Sequence, residues 1–236
     1  MIVKPDTAPE NPQEPIPLAQ AGKPGASSPI ETNAHALSSR EPRAEVMSDN
    51  VHVLNLEPPQ RPDPLSGLTG TDDITGIAND RFFRAQTSVA VERAYRISQP
   101  VALLFCDVDS LKRYNDHFGR DCGDEVLRWI SAFLRVAGRR RSDLAARRHS
   151  DEFALLLPNT GSYAALVLAD RFCRNVAGSS ISFGADSREI NVTVSVGVTV
   201  YPASAKIESA DLIGSAGEAL EQARRAGGNC TRFRQL

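Results

Sequence analysis

The stretch Ala145-Ala146-Arg147-Arg148-His149-Ser150-Asp151-Glu152-Phe153-Ala154-Leu155-Leu156-Leu157 places two adjacent carboxylates in a short polar break between two apolar segments. Apolar run, polar break and apolar run form the pattern of a β-hairpin. Residues 144–147 and 153–157 are therefore expected as its strands, with Asp151 and Glu152 at the tip. A second acidic pair, Asp107 and Asp109, closes the run Val101-Ala102-Leu103-Leu104-Phe105-Cys106. That unbroken apolar run suits a central strand covered on both faces. Acids at the ends of two neighbouring strands can hold a hard divalent cation against phosphate oxygens, so nucleotide chemistry is the first expectation.

Working outward, Asp72-Asp73-Ile74-Thr75-Gly76-Ile77 reads as a turn leading into a helix over 81–97, which carries Phe82, Phe83, Val89 and Tyr95 near helical spacing. Between 123 and 137, Val126, Leu127, Ile130, Phe133 and Leu134 mark one apolar face of an amphipathic helix. A further helix over 164–176 has Leu166, Leu168, Ala169, Phe172 and Val176 available for burial. Residues 191–200 alternate small polar with β-branched residues and predict a strand. A last helix over 210–226 is stopped by Gly227-Gly228, and a short strand over 231–234 follows. The order is helix, then βαββαβ, then helix and strand. It defines an α+β, ferredoxin-like palm with a central antiparallel sheet surrounded by helices. Such a fold hosts many activities.

Composition divides the chain of 236 residues unevenly, since twelve of its fifteen prolines precede Leu65. Residues 1–64 show no helical or strand period and read as a disordered, proline-rich arm with no folded sensor in it, and 65–236 as the folded domain. A net charge of -2 and a pI near 6.1 give no basis for a nucleic-acid polymer or an acidic membrane as partner. The local clusters Arg139-Arg140-Arg141 and Arg147-Arg148 point to small anions instead. Cys106, Cys122, Cys173 and Cys230 lie far apart with no CxxC pair, so reduced thiols are expected. The start of the chain has no signal-peptide core and no run reaches a membrane span. A soluble cytoplasmic protein is the expectation.

Four spaced motifs occur in one order: Asp72-x-Ile-Thr-Gly-Ile-x-Asn79; Asp107-Val-Asp109-x-x-Lys112-x-x-Asn115-Asp116-x-x-Gly119-x-x-x-Gly123-Asp124; Asp151-Glu152-Phe153; and Thr193-Val-Ser195-Val-Gly197. Together they resemble the GGDEF family of diguanylate cyclases, from about Gly67 to Arg234. In that family two GTP-loaded domains meet as a transient homodimer, and each 3′-hydroxyl attacks the other nucleotide's α-phosphate to give cyclic di-GMP and pyrophosphate. The resemblance implies that Asp107, the Val108 carbonyl and Asp151 hold Mg²⁺ (or Mn²⁺). Glu152 would be a further metal ligand or help deprotonate the hydroxyl. It also implies that Asn115 and Asp124 read guanine and that Lys112 and Arg224 lie near the phosphates. Arg140-Arg141-Ser142-Asp143 matches the family's RxxD product-inhibition site, to which Arg171 would add a second arginine.

The chain departs from that pattern where His149 and Ser150 replace the two motif glycines. If the tip needs positive φ, side chains there cost on the order of 1–2 kcal/mol and crowd an approaching nucleotide. Gly228 stands where the family commonly has a second phosphate-binding arginine. Asp109 is read as a structural residue, His149 as a tolerated tip residue, and Cys122 has no assigned role. Two function classes stay open: an active cyclase with product feedback, or a catalytically impaired domain acting as a receptor for cyclic di-GMP or GTP. A scaffold acting on a protein partner through the arm is a third.

Overall fold

The structure, a computed structural model, describes residues 70–183 and 188–236. The arm expected over 1–64 and the expected domain start at Leu65 lie outside them. The described residues open with a turn in which Asp72 Oδ1 accepts hydrogen bonds from the Thr75 N–H (2.9 Å) and hydroxyl (2.7 Å). Gly76, at φ +68°, closes it in a conformation that glycine adopts without a Cβ clash. After β1 (Ala78–Asn79), Asn79 caps α1 (Asp80–Ile97) by accepting from the Phe82 N–H at 2.9 Å.

The chain continues through β2 (Val101–Val108), α2 (Leu111–Phe118), α3 (Arg120–Ala137), β3 (Leu144–Arg147), β4 (Glu152–Pro158) and α4 (Ser162–Ala177). It ends with β5 (Ile181–Phe183), β6 (Arg188–Ile190), β7 (Val194–Tyr201), α5 (Ser209–Arg225) and β8 (Thr231–Gln235). Six strands form one sheet in the order β1-β3-β4-β2-β7-β8, and β5 and β6 pair separately. The four central strands are antiparallel, as expected of the palm, while β1 and β8 add parallel edges. Two-residue alternation divides the core. Leu104, Cys106, Phe153, Leu155, Val196 and Val198 face α3 and α4, whereas Leu103, Phe105, Ala154 and Leu156 face α1 and α5.

Several elements differ from the sequence reading, the short β1 among them. The buried stripe of α1 is Phe83, Thr87, Val91 and Ala94, while Phe82, Val89 and Tyr95 are exposed. Helix α2 was not anticipated, because Leu111 is its one fully buried residue and polar residues separate it from the partly buried Tyr114 and Phe118. The β5–β6 pair was likewise unread, lying in a segment without clear period. The four thiols are free, with Cys106, Cys122 and Cys173 buried, as expected.

Candidate active site

The antiparallel register sets Asp107 opposite Glu152 on one side and Ser195 on the other. Directly opposed residues share a sheet face, and by alternation Asp107 and Glu152 continue the face of Phe105 and Ala154, beneath α1 and α5. Gly197 brings α5 there. A Cβ at this position would lie 2.1 Å from the Leu220 backbone nitrogen and 2.6 Å from the Ala216 carbonyl oxygen, so the helix rests on bare strand backbone. One helical turn past Leu220, an advance of about 6 Å, stands Arg224. Two strand residues before Gly197, about 7 Å away, stands Ser195 beside Asp107. These matched steps carry the Arg224 guanidinium onto the Asp107 carboxylate, where it donates to Oδ2, and to within 3.8 Å of Glu152. Burial pushes the Asp107 carboxyl up to about 6, against the hydrogen bond and charge of Arg224 and with the negative charges of Asp151 and Asp109 adding to the rise.

Asp109 is structural, as read. Its carboxylate accepts from Thr193 Oγ1 (2.7 Å), Ser195 Oγ (2.6 Å) and the Asn229 N–H (2.9 Å), fastening the end of β2 to β7 and to the turn before β8. Gly228, at φ +76°, belongs to that turn, and a Cβ there would approach Asp109 Oδ1 to 3.0 Å. Its glycine thus serves the backbone of this turn.

At the hairpin tip the structure corrects two expectations. Neither His149 nor Ser150 has positive φ, so the anticipated backbone strain is not incurred. The turn is held from within: Arg147 donates to the carbonyls of His149 (3.1 Å) and Ser150 (2.6 Å) and to Asp72 (3.2 Å). The second correction concerns the Arg147-Arg148 cluster, which is committed to internal carboxylates instead of being free for small anions. Arg148 donates to Glu152 Oε1 and approaches Asp80 at 3.4 Å. Sequence reasoning missed this role, although the period of β3 carries Arg148 to the same inward face as buried Ala146. The Val108 N–H donates to the Asp151 carbonyl at 3.2 Å, which ties the tip to the end of β2. Asp107, Val108, Asp151, Glu152 and Arg224 therefore meet in one place.

Asn115 and Asp124 stand on α2 and α3, both half-buried. Between them Gly123 leaves room for the Asn115 side chain, whose Oδ1 lies 1.8 Å from where a Cβ would stand. That oxygen is buried without a hydrogen-bond partner. Lys112 is exposed on α2. In the Arg140–Asp143 turn, Asp143 Oδ2 accepts from the Arg140 N–H at 3.0 Å, and both residues line a cavity of about 660 Å³ bordered by Phe82, Val89 and Arg93 of α1. Arg171 is exposed on α4 and is not part of that lining.

Among the described residues no three His, Cys, Asp or Glu side chains already converge as a metal site. The donors nevertheless suit Mg²⁺, which takes one or two carboxylates and completes its shell with substrate phosphates and water. Asp107 and Asp151, with the Val108 carbonyl, are hard oxygen donors of that kind, and Arg224 is the group that would have to yield.

An antiparallel palm with acids at adjacent strand ends and an arginine from the C-terminal helix above them defines a nucleotide-cyclase type of domain. The chain belongs to the GGDEF family: the diguanylate cyclase, GGDEF domain matches residues 69–230. It is 37% identical over 163 residues to the response regulator PleD of Caulobacter vibrioides, covering 69% of this chain and 35% of PleD. The chain thus spans about a third of that relative's length. The GGDEF domain of DgcB from Caulobacter crescentus, solved in complex with c-di-GMP, superposes with a TM-score of 0.65 at 25% identity, covering 71% of this chain and 93% of that one. The GGDEF domain of TpbB from Pseudomonas aeruginosa gives 0.64 at 33% identity over 69% and 93%. Among the described residues, no helix is long and apolar enough to cross a membrane.

Proposed function

We propose that this domain serves cyclic di-GMP signalling as a cytoplasmic diguanylate cyclase, condensing two GTP into cyclic di-GMP and two pyrophosphates across a transient homodimer. The observation that carries this reading is the register pair Asp107–Glu152, opposed across β2 and β4 and shared by Arg224. Asp107, the Val108 carbonyl and Asp151 would hold Mg²⁺ or Mn²⁺, which when bound offsets triphosphate charge and polarises the α-phosphate. Asp124 accepts from the guanine N–H groups and Asn115 meets its acceptor edge, while the orphaned Asn115 Oδ1 supplies an acceptor still seeking a donor. Lys112 and Arg224 contact the phosphates, Arg224 exchanging its Asp107 partner for a phosphate oxygen. Glu152 receives the proton of the attacking 3′-hydroxyl as its oxygen bonds to the α-phosphorus of the facing nucleotide, and pyrophosphate leaves. Product returning to Arg140, Asp143 and Arg171 limits further turnover.

Purified protein incubated with GTP and Mg²⁺ or Mn²⁺ should form cyclic di-GMP, and Glu152→Gln should not. Product at or below that control removes the cyclase reading. The second reading, a cyclic di-GMP receptor with an inert nucleotide site, is favoured by the cavity at Arg140 and Asp143, which forms away from the carboxylates. It requires tight cyclic di-GMP binding that Arg140→Ala weakens, with no turnover.

A further inference from the structure

Arg148 is the most deeply enclosed cation near the site. Its side chain is 8% exposed, whereas that of Arg224 is 38% exposed. The guanidinium lies 4.0 Å from the centre of the Phe105 ring and 5.7 Å from that of Phe83, so its faces rest on aromatic surface. One end donates to Glu152 Oε1. The other presents Nε to Asp80 Oδ1 at 3.4 Å, two buried atoms that face one another without an aligned hydrogen bond. Five side chains therefore alternate in sign along one line: Asp80, Arg148, Glu152, Arg224 and Asp107.

The two arginines differ in what holds them. Arg224 comes from a helix end, is partly solvated, and can leave its carboxylate for a phosphate without uncovering a core surface. Arg148 would have to quit two aromatic rings and leave Glu152, a mostly buried acid, with only the more distant Arg224, while Asp80 keeps Arg84 at 2.6 Å, an unfavourable exchange.

We propose that Arg148 is a resident cation for Glu152: a positioning residue that occupies the place a divalent ion would otherwise take on this carboxylate. Glu152 is thereby kept out of the metal's coordination shell and aimed at the substrate hydroxyl. The site accordingly takes its metal through Asp107, the Val108 carbonyl and Asp151 alone. This inference rests on the nucleotide and metal reading above and assigns which of its acids coordinate.

The test is Mn²⁺ uptake, read from the electron paramagnetic resonance signal of the free ion in the presence of a non-hydrolysable GTP analogue. Four proteins are compared: the parent, Glu152→Gln, Arg148→Met, and the double variant. In the parent, Glu152→Gln should lower Mn²⁺ affinity by no more than about tenfold, the long-range effect of losing a nearby charge that is not a ligand. Arg148→Met should raise affinity at least about tenfold, since Glu152 is then free to join the ion's shell and a positive charge a few ångströms from the ion is removed. Glu152→Gln should cost clearly more affinity in the Arg148→Met background than in the parent, because only there is the carboxylate a ligand. Arg148→Lys, which keeps the charge, should stay near the parent. Should Arg148→Met fail to fold, the Glu152→Gln comparison in the parent decides alone. A fall of more than about tenfold there, or equal nonzero uptake by parent and Arg148→Met, overturns the proposal and leaves the metal site standing. Uptake by none of the four overturns both.

Discussion

Replacing Gly123 by alanine should separate folding from guanine recognition. In α3 alanine is favoured over glycine by about 1 kcal/mol, so the helix itself gains. The new Cβ would stand 1.8 Å from Asn115 Oδ1 and 2.9 Å from its Cγ. The amide oxygen must retreat by roughly 1.5 Å to reach ordinary contact. It can do so by rotating about its side-chain bonds, and because it has no hydrogen-bond partner, rotation breaks none. Stability should therefore be unchanged or rise by up to about 1 kcal/mol. Guanine, by contrast, loses an aligned amide, leaving a polar edge unmatched at about 1.5–3 kcal/mol, or roughly ten- to a hundredfold in Kd. Urea denaturation gives the first quantity and titration with a fluorescent GTP analogue the second, with an ATP analogue as control. An unchanged GTP affinity, or a loss matched by an equal fall in stability, would refute the assignment of Asn115.

Gly197→Ala should act oppositely, because the atoms its Cβ meets are helix backbone and cannot rotate away; a loss of about 3 kcal/mol, with weakened GTP binding as Arg224 shifts, is expected from the same two assays. Arg147→Ala strips the His149 and Ser150 carbonyls and Asp72 of a shared donor and should cost about 2–4 kcal/mol; under about 0.5 kcal/mol the clamp would be idle. Converting His149 and Ser150 together to glycine should lower stability by about 1–2 kcal/mol, through a freer unfolded chain, and a rise would reveal backbone strain. Burial pushes the Cys173 thiol up to about 11 and Cys106 well above its usual range. A raised thiol pKa keeps the reactive thiolate scarce until pH nears that value. At pH 8 a disulfide reagent should thus modify half-buried Cys230 first and the other three only on unfolding.

The parts of this fold that were legible in the sequence are those whose burial is periodic. Strand β7 alternates Val194, Val196, Val198 and Val200 toward α3 and α4, with Ser195, Gly197 and Thr199 on the opposite face, and the pattern is visible residue by residue. Helix α3 buries Val126, Leu127, Ile130 and Leu134 as its spacing requires. Where large apolar residues stand side by side, spacing is ambiguous: Phe82 and Phe83 cannot both face inward, and the choice falls to Phe83 because Phe105 meets its edge, with ring centres 6.0 Å apart. Helix α2 buries too little to show a period, yet it carries Asn115. The acids were legible as a set because strand ends mark them. Their counter-ions were not, since Arg224 and Asp107 are 117 positions apart, and Arg147 and Asp72 are 75 apart.

The hairpin tip shows how a local rule can be read correctly and still mispredict its consequence. Glycine is used where φ must be positive, so its loss implied strain. This tip needs no positive φ, because the Arg147 guanidinium gathers the His149 and Ser150 carbonyls and anchors them to the turn that begins at Asp72. What remains of the glycine argument is bulk: on the proposed function, two side chains stand beside Asp151 where the family has none. Such bulk would oppose substrate entry without opposing folding. If it alone limits turnover, the double glycine variant should gain cyclase activity while losing stability, a trade that neither strain relief nor simple destabilisation would produce.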